Sequence, residues 1–564
     1  MALAAALPRV SDAESPAPAG AAAPPDLPAA ISAFFQPWNH PDTPGCVVGV
    51  ERPGAPALLR SFGSADLEHA VPNDADTVFE AGSVSKQFTA AAILVLAGEH
   101  RLALDDDIRR YLPEMPDYGT PIRIAQLLGH TSGLRDWGEV EAMAGWPRTT
   151  RTYAQRDVLD IAARQRALNF APGTAYSYTN TGYNLLALIV GRVSGESLAA
   201  FTRRRFFEPL GMSHTEWRDD FTRIVAHRAI AYRRMADGYR QEMPFENTYG
   251  HGGLLTTVPD LLRWNAALSA GDLGPGVAAE LARPTQLNDG RAIGYARGLF
   301  VGSFDGVPEI AHSGATASYR AWLGRYPQQQ ISMALLCNAG EVDSIAAAHS
   351  VAETLLPADL VAAARSSAPP LVGRTPQQLA PFAGLYADRD DGTSVRLEIH
   401  EDGLRLLPDT LLAAVSANEF IVPADPTRRI RFDGPDALTM SRAAGETHVF
   451  RRTSPWAPTR RALQALAGRY ASDEALATFI AVFNDGHLEI APQDRRGESV
   501  QWVPIYADTF KGIGGAGGLI YHLTRDARGR VTGFEMRSSR VHALWFRRLA
   551  TARETARSLP RPAH

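Results

Sequence analysis

A chain of 564 residues with 45% hydrophobic residues, 21% charged residues and a formal charge of −4 is too long for a single core and divides into several domains. The near-neutral charge excludes a dominant nucleic-acid surface. The longest apolar run, Ala90 to Ala97, is far below the roughly 20 residues that span a bilayer.

In chain order, residues 1–25 ("MALAAALPRVSDAESPAPAGAAAPP") read as a disordered Ala/Pro tail or the remnant of a signal peptide without a basic n-region. From 26 to 357 the texture is that of an α+β domain. Strand-like "GCVVGVE" and "ALLRSFG" come first, then helix-like "VSKQFTAAAILVLAGEH" and "GYNLLALIVGRVSG", then strands again in "IAHSGATASYRAWLGRYP" and "QISMALLCNA". Strands at both ends with helices between predict that the terminal strands share one sheet. Cys46 and Cys337 sit in apolar runs typical of buried strands, where free cysteine behaves as a small hydrophobe; a disulfide between them is left open but not favoured.

An Ala/Pro-rich linker is expected over 358–378. Beyond it short alternating runs repeat: "FAGLYADRDDGTSVRLEIHEDGLRLLP" from Phe382 matches "LAGRYASDEALATFIAVFNDGHLEIAP" from Leu466. A-G-x-Y and a D-G turn recur, and both copies close on F-R-R, at Phe450 to Arg452 and Phe546 to Arg548. Two small antiparallel barrels, over 379–454 and 462–550, are the expected arrangement, because closure removes exposed sheet edges; a single split sandwich is the alternative.

Of the 57 basic residues only Lys86 and Lys511 are lysines, so these two positions stand out. If "SKQFTAAAILVLAG" is a helix, Ser83 and Lys86 at i and i+3 face the same way. A serine hydroxyl needs a base to become a nucleophile, and a lysine serves once burial or nearby positive charge lowers its pKa. Arginine stays protonated and could not substitute. Two companions point to the same chemistry. "YTN" supplies Tyr178, which can share the base role, and Asn180, which can bond a substrate amide. "HSG" supplies His312 and Gly314 on a predicted strand, where the glycine admits close approach of a substrate backbone.

In this order, S-x-x-K, Y-x-N and H-x-G resemble the serine β-lactamase and penicillin-binding-protein superfamily, class C-like branch. "LLGHTSGLRDW", "EPLGMSHT" and "GHGGLLTTVPDLLRW" agree, so the resemblance covers roughly residues 30 to 355, and the two added barrels resemble the D-aminopeptidase layout. The resemblance implies a β-lactamase-like α+β domain, with an antiparallel sheet flanked by helices. It makes Ser83 the acylated nucleophile, Lys86 its proton acceptor and Tyr178 an assistant in acylation and deacylation. Asn180 would orient Lys86 and the substrate amide, the N–H groups of Ser83 and Ala315 would form the oxyanion hole, and His312 and Gly314 would border the substrate.

The chain departs from the family in having His312-Ser313-Gly314 where many members carry K-T-G. A fixed cation is missing unless His312 is protonated or an arginine replaces it. The expected substrate is a small molecule or short peptide, with D-amino-acid peptides or amides leading. An esterase or weak β-lactamase is the alternative, and a penicillin-recognition module that never turns over is the alternative of another class.

The remaining motifs read as structural. Histidines lie no closer together than His214 and His227, so local zinc-ligand spacing is missing and neither metal nor organic cofactor is expected. G-x-G-x-x-G at Gly512, Gly514 and Gly517 precedes a strand rather than opening a helix, so it reads as a hairpin loop. By the D-aminopeptidase resemblance that loop, 505–519, would reach over the cleft. His130 reads as a structural loop histidine, and Arg320 and Arg325 as solvated strand residues, with a substrate-facing cation as the alternative. The peptidoglycan-like substrates that the resemblance implies favour a periplasmic or exported location over a cytoplasmic one. Oligomeric state is not legible.

Overall fold

A computed structural model describes residues 29–52, 54–357, 359–360, 370–423, 425–442, 445–495, 499–514 and 518–550. The tail over 1–25 and, within the linker expected over 358–378, residues 358 and 361–369 lie outside the described residues. Strands β1 (Cys46–Glu51) and β2 (Leu58–Phe62) open the chain; β3 (Phe300–Phe304), β4 (Val307–Thr316), β5 (Tyr319–Tyr326) and β6 (Ile331–Cys337) come some 240 residues later in sequence. All six form one antiparallel sheet in the order β3-β4-β5-β6-β1-β2, with β1 paired to β6.

Both faces of this sheet are apolar, because alternate residues along each strand point to opposite sides. Val47, Ala321, Leu323, Ala334 and Leu336 pack into the larger core. Val48, Val50, Trp322, Met333 and Leu335 pack into the second. The helices that carry or support the site are α1 (Lys86–Gly98), α2 (Trp137–Met143), α3 (Gln155–Ala163), α4 (Asn180–Ser194) and α5 (Val258–Ala270), with α6 (Ser344–Leu355) on the opposite face. Helix α5 presses on β1 so closely that a Cβ at Gly49 would lie 2.4 Å from Val258 Cγ1.

Cys46 and Cys337 are direct cross-strand partners and form a disulfide, which corrects the expectation of free cysteines. Apolar flanks mark each cysteine as buried in a strand, but nothing local says that the two strands pair.

The repeat at the C-terminal end folds as two closed eight-stranded barrels, the first from β7 (Gly384–Asp388) to β14 (Thr447–Thr453) and the second from β15 (Gly468–Ser472) to β22 (Val541–Arg548). The shared motifs explain the closure. Each motif tyrosine donates to a carbonyl four residues upstream, Tyr386 to Phe382 at 3.0 Å and Tyr470 to Leu466 at 2.7 Å. First and last strands meet with Tyr386 opposite Arg452 and Tyr470 opposite Arg548. These two arginines then donate to the carbonyls just before the motif glycines, Ala383 at 2.7 Å and Ala467 at 3.1 Å. The interior of the second barrel is continuous with α2 and α3, through Trp137, Val140, Tyr153 and Ile161, so that barrel is fastened to the helices beside the site.

Candidate active site

Ser83 lies in a single 3-10 turn, Gly82–Ser85, which runs directly into α1 at Lys86. Two glycines let this turn lie against β4. Gly82 has φ +50°, and a Cβ on it would stand 2.7 Å from Ala315 N; a Cβ on Gly314 would stand 2.1 Å from Ala81 O. Real Cβ atoms do not approach backbone this closely, so both positions require glycine or a displaced strand. Gly314→Ala is therefore expected to push β4 from the nucleophile turn and lower kcat by roughly 10²-fold to 10³-fold, the loss of one oxyanion donor. A stopped-flow acylation rate with an unchanged circular-dichroism melt would establish it.

Lys86 is fully buried. Its Nζ lies 3.1 Å from Ser83 Oγ, 2.9 Å from Asn180 Oδ1 and 2.7 Å from the carbonyl of His251. Burial pushes its pKa well below the ordinary 10.5, and the guanidinia of Arg540 and Arg148 push the same way against Asp136. A neutral amine has two N–H donors and one lone pair. The two oxygen acceptors, Asn180 Oδ1 and His251 O, use both donors and leave the lone pair for the Ser83 hydroxyl.

Tyr178 closes the other side, with its ring 4.8 Å from Lys86 Nζ, and lines the cleft with Ser83. Burial pushes its phenol up, so it rests protonated. Behind it, buried His130 packs at 4.3 Å from the Tyr178 ring and accepts from Thr179 N at 3.3 Å through Nδ1, a backing role. Asn180 opens α4, and its backbone N–H donates to Asp136 Oδ2 at 2.7 Å. With Oδ1 committed to Lys86, the Asn180 amide also borders the cleft. Asp136, which caps α2 through Gly138 N and Glu139 N, is a site residue that the motifs do not reveal. Its residue type at a helix start was the available signal.

His312 Nδ1 is 2.6 Å from the carbonyl of Ser313, so that nitrogen carries the hydrogen, and Nε2 faces Tyr295 Oη at 3.3 Å. Burial and the nearby Lys86 push its pKa down to about 3. It is a neutral ring and does not replace the missing cation.

Arginines line the cleft instead: Arg148 and Arg320 of the catalytic domain, Arg442 of the first barrel and Arg540 of the second. Strands β21 (Val531–Ser538) and β22 are joined by a tight turn whose Ser539 and Arg540 line the cleft with Ser83, Tyr178, Asn180 and Ala315. The cleft holds about 690 Å³. The Arg540 guanidinium sits 5.2 Å from the Tyr178 ring centroid. The turn is fixed to the catalytic domain by Asn169, whose Nδ2 donates to Arg540 O at 2.9 Å and whose Oδ1 accepts from His542 N at 2.9 Å. Ser177 Oγ donates to Ser539 O at 3.1 Å, and Ser538 bonds Glu139.

The barrel residues at the cleft are thus Arg442 and Glu446 of the first barrel and Ser539 and Arg540 of the second, and not the expected 505–519. Residues 515–517 of that stretch lie outside the described residues, and none of its described residues lines the cleft; Tyr506 instead donates to Gly392 O of the first barrel at 2.9 Å. Arg320 also borders the cleft, with its Nη1 held by the carbonyls of Ala317 and Tyr319. His251 reaches the site through its backbone carbonyl, which accepts from Lys86 Nζ.

Fold and site together define a serine hydrolase of the peptidase and amidase kind. The family model described as Beta-lactamase matches residues 31–356, more than half of the sequence, and the chain belongs to that family. A D-aminopeptidase of Cereibacter sphaeroides is 28% identical over 448 residues, spanning 78% of this chain and 82% of the relative. A D-aminopeptidase of Brucella anthropi is 27% identical over 542 residues, spanning 92% and 98%. Among solved structures, an octameric penicillin-binding protein homologue from Pyrococcus abyssi has a TM-score of 0.53 at 20% identity and covers 76% of this chain and 100% of its own. Among the described residues no single helix is long and apolar enough to cross a membrane.

Proposed function

We propose that the protein hydrolyses D-amino-acid peptides and amides through an acyl-enzyme on Ser83. The carrying observation is the Lys86 amine, buried and bonded to two acceptors so that its lone pair meets the Ser83 hydroxyl. In this reading Lys86 takes the Ser83 proton as Oγ attacks the substrate carbonyl, and the N–H groups of Ser83 and Ala315 bind the oxyanion. Tyr178 relays the proton to the leaving amine and later activates the water that releases the acyl group. Asn180 and Gly314 align the substrate amide, with His312 as a neutral wall. The D-aminopeptidase relatives, matched over most of their length, support the substrate class.

Arg540 refines it. A guanidinium in the cleft favours substrates that carry a carboxylate near the scissile bond, so D,D-dipeptide ends are preferred over simple amides. Arg540→Gln is expected to raise KM for D-alanyl-D-alanine roughly tenfold to a hundredfold, from the about 1.5 to 3 kcal/mol of a charged hydrogen bond. Hydrolysis of p-nitrophenyl acetate should keep its KM. Equal KM changes for both substrates would remove Arg540 from substrate recognition. We also propose an exported, oxidising location, which the Cys46–Cys337 disulfide supports.

A further inference from the structure

A second cavity, of about 640 Å³, opens at the far end of β5, between the sheet, α5 and the short helix Val277–Leu281. Arg325 lines it, five positions along the strand from Arg320, or roughly 17 Å at strand rise. Arg325 is 9% exposed, not solvated as its sequence context predicts. Among the described residues its guanidinium has no hydrogen-bond or ion-pair partner, and burial alone pushes its pKa down, with no neighbouring charge contributing. The guanidinium therefore turns to the cavity instead of to a carboxylate, and a ligand there would meet a cation that no protein acceptor engages. Arg218, buried elsewhere in this domain, shows the ordinary solution, two hydrogen bonds to Glu80 at 2.8 and 2.9 Å.

We propose that this cavity binds a small monocarboxylate with a compact apolar body, held by Arg325. Ser332 is the direct cross-strand partner of Arg325, so the two side chains share a face. Its hydroxyl oxygen accepts from Asn265 Nδ2 at 2.9 Å, which leaves the hydroxyl hydrogen for a second carboxylate oxygen. Glu51, the next residue across that row, also lines the cavity, and its negative charge opposes dianions such as phosphate. The methyl groups of Ala57, Ala266, Ala278 and Ile310 suit a compact hydrocarbon body, while Arg52, Ser269 and Gln330 also line the cavity and add polar groups at its wall.

Isothermal titration of the full chain carrying Ser83→Ala with phenylacetate tests the site. One saturable site is expected, at least tenfold weaker for neutral phenylacetamide, at least tenfold weaker in an added Arg325→Met, and unchanged in an added Arg540→Gln. Inorganic phosphate is expected not to compete. The Met variant, relieved of an unpaired buried cation, is expected to melt at the same temperature as its parent or higher without ligand. Equal affinity for phenylacetamide, retained binding in Arg325→Met, loss of binding in Arg540→Gln, or no binding up to about 10 mM would each overturn the site. The phenylacetate and phenylacetamide pair needs no change at Arg325, so the two ligands decide the matter even if that variant fails to fold.

Discussion

Lys86→Arg is expected to abolish practical turnover, lowering kcat roughly 10²-fold to 10⁴-fold, the usual contribution of a positioned general base. Ser83→Ala should cost at least as much, since the nucleophile itself is lost. The arginine introduces a permanent positive charge and can still donate toward Asn180 Oδ1 and His251 O but offers no lone pair, so it removes the base while leaving the Ser83 hydroxyl in place. pH dependence gives the same test without mutation. Activity requires neutral Lys86, so kcat/KM should rise as pH rises through its pKa, with the acid limb well below the ordinary 10.5. His312, pushed down to about 3, contributes no limb near neutrality. Arg540 helps to hold the Lys86 pKa down, so Arg540→Gln should also move that limb to higher pH. Near-normal turnover in Lys86→Arg, or a rate independent of pH from about 5 to 9, would refute the assignment.

The second large effect is on stability. Glu80, in the two-residue strand just before the nucleophile turn, receives both hydrogen bonds of Arg218, with Arg228 a further 3.7 Å away. Glu80 and Arg218 are each 1% exposed. Burial pushes the Glu80 carboxyl up, but the guanidinia of Arg218 and Arg228 outweigh it and hold it below the usual carboxylate range. Glu80→Gln removes the charged partner of buried Arg218, leaving only the Glu246 carboxylate at 3.8 Å, and is expected to destabilise the domain by about 3 kcal/mol, read as a shift in the urea midpoint at constant m. Replacing both partners by apolar residues, Glu80→Leu with Arg218→Met, should recover most of that loss. The sign with pH follows from the lowered carboxyl. Its contribution is present above the unfolded value of about 4.3 and is lost as pH falls through the folded value, a loss the Gln variant lacks. A Gln variant as stable as the wild type would show that the pair only offsets its own desolvation.

Much of the site was legible because its chemistry needs particular residue types in a fixed order. A lysine in a chain that otherwise uses arginine marked a position requiring an amine that can lose its proton, and helical spacing placed it beside Ser83. The barrel repeat was legible for a similar reason: A-G-x-Y and F-R-R are the two ends of one closure contact, so each copy carries both halves. Asp136 was missed because its service to Asn180 crosses from one helix start to another, a contact that no local spacing encodes.

The candidate site is written locally in the chain: Ser83, Lys86, Tyr178 and Asn180 belong to short motifs at helix starts and turns. The charges around that site depend instead on how distant segments pack. Whether His312 is a cation depends on its burial beside Lys86, and whether Arg325 is solvated depends on what α5 covers. One of the cations that reach the cleft, Arg540, is carried by a barrel more than 200 residues further along the chain. Desolvation and Coulomb interactions act through space, over distances set by packing, so they become readable only once the barrel is docked.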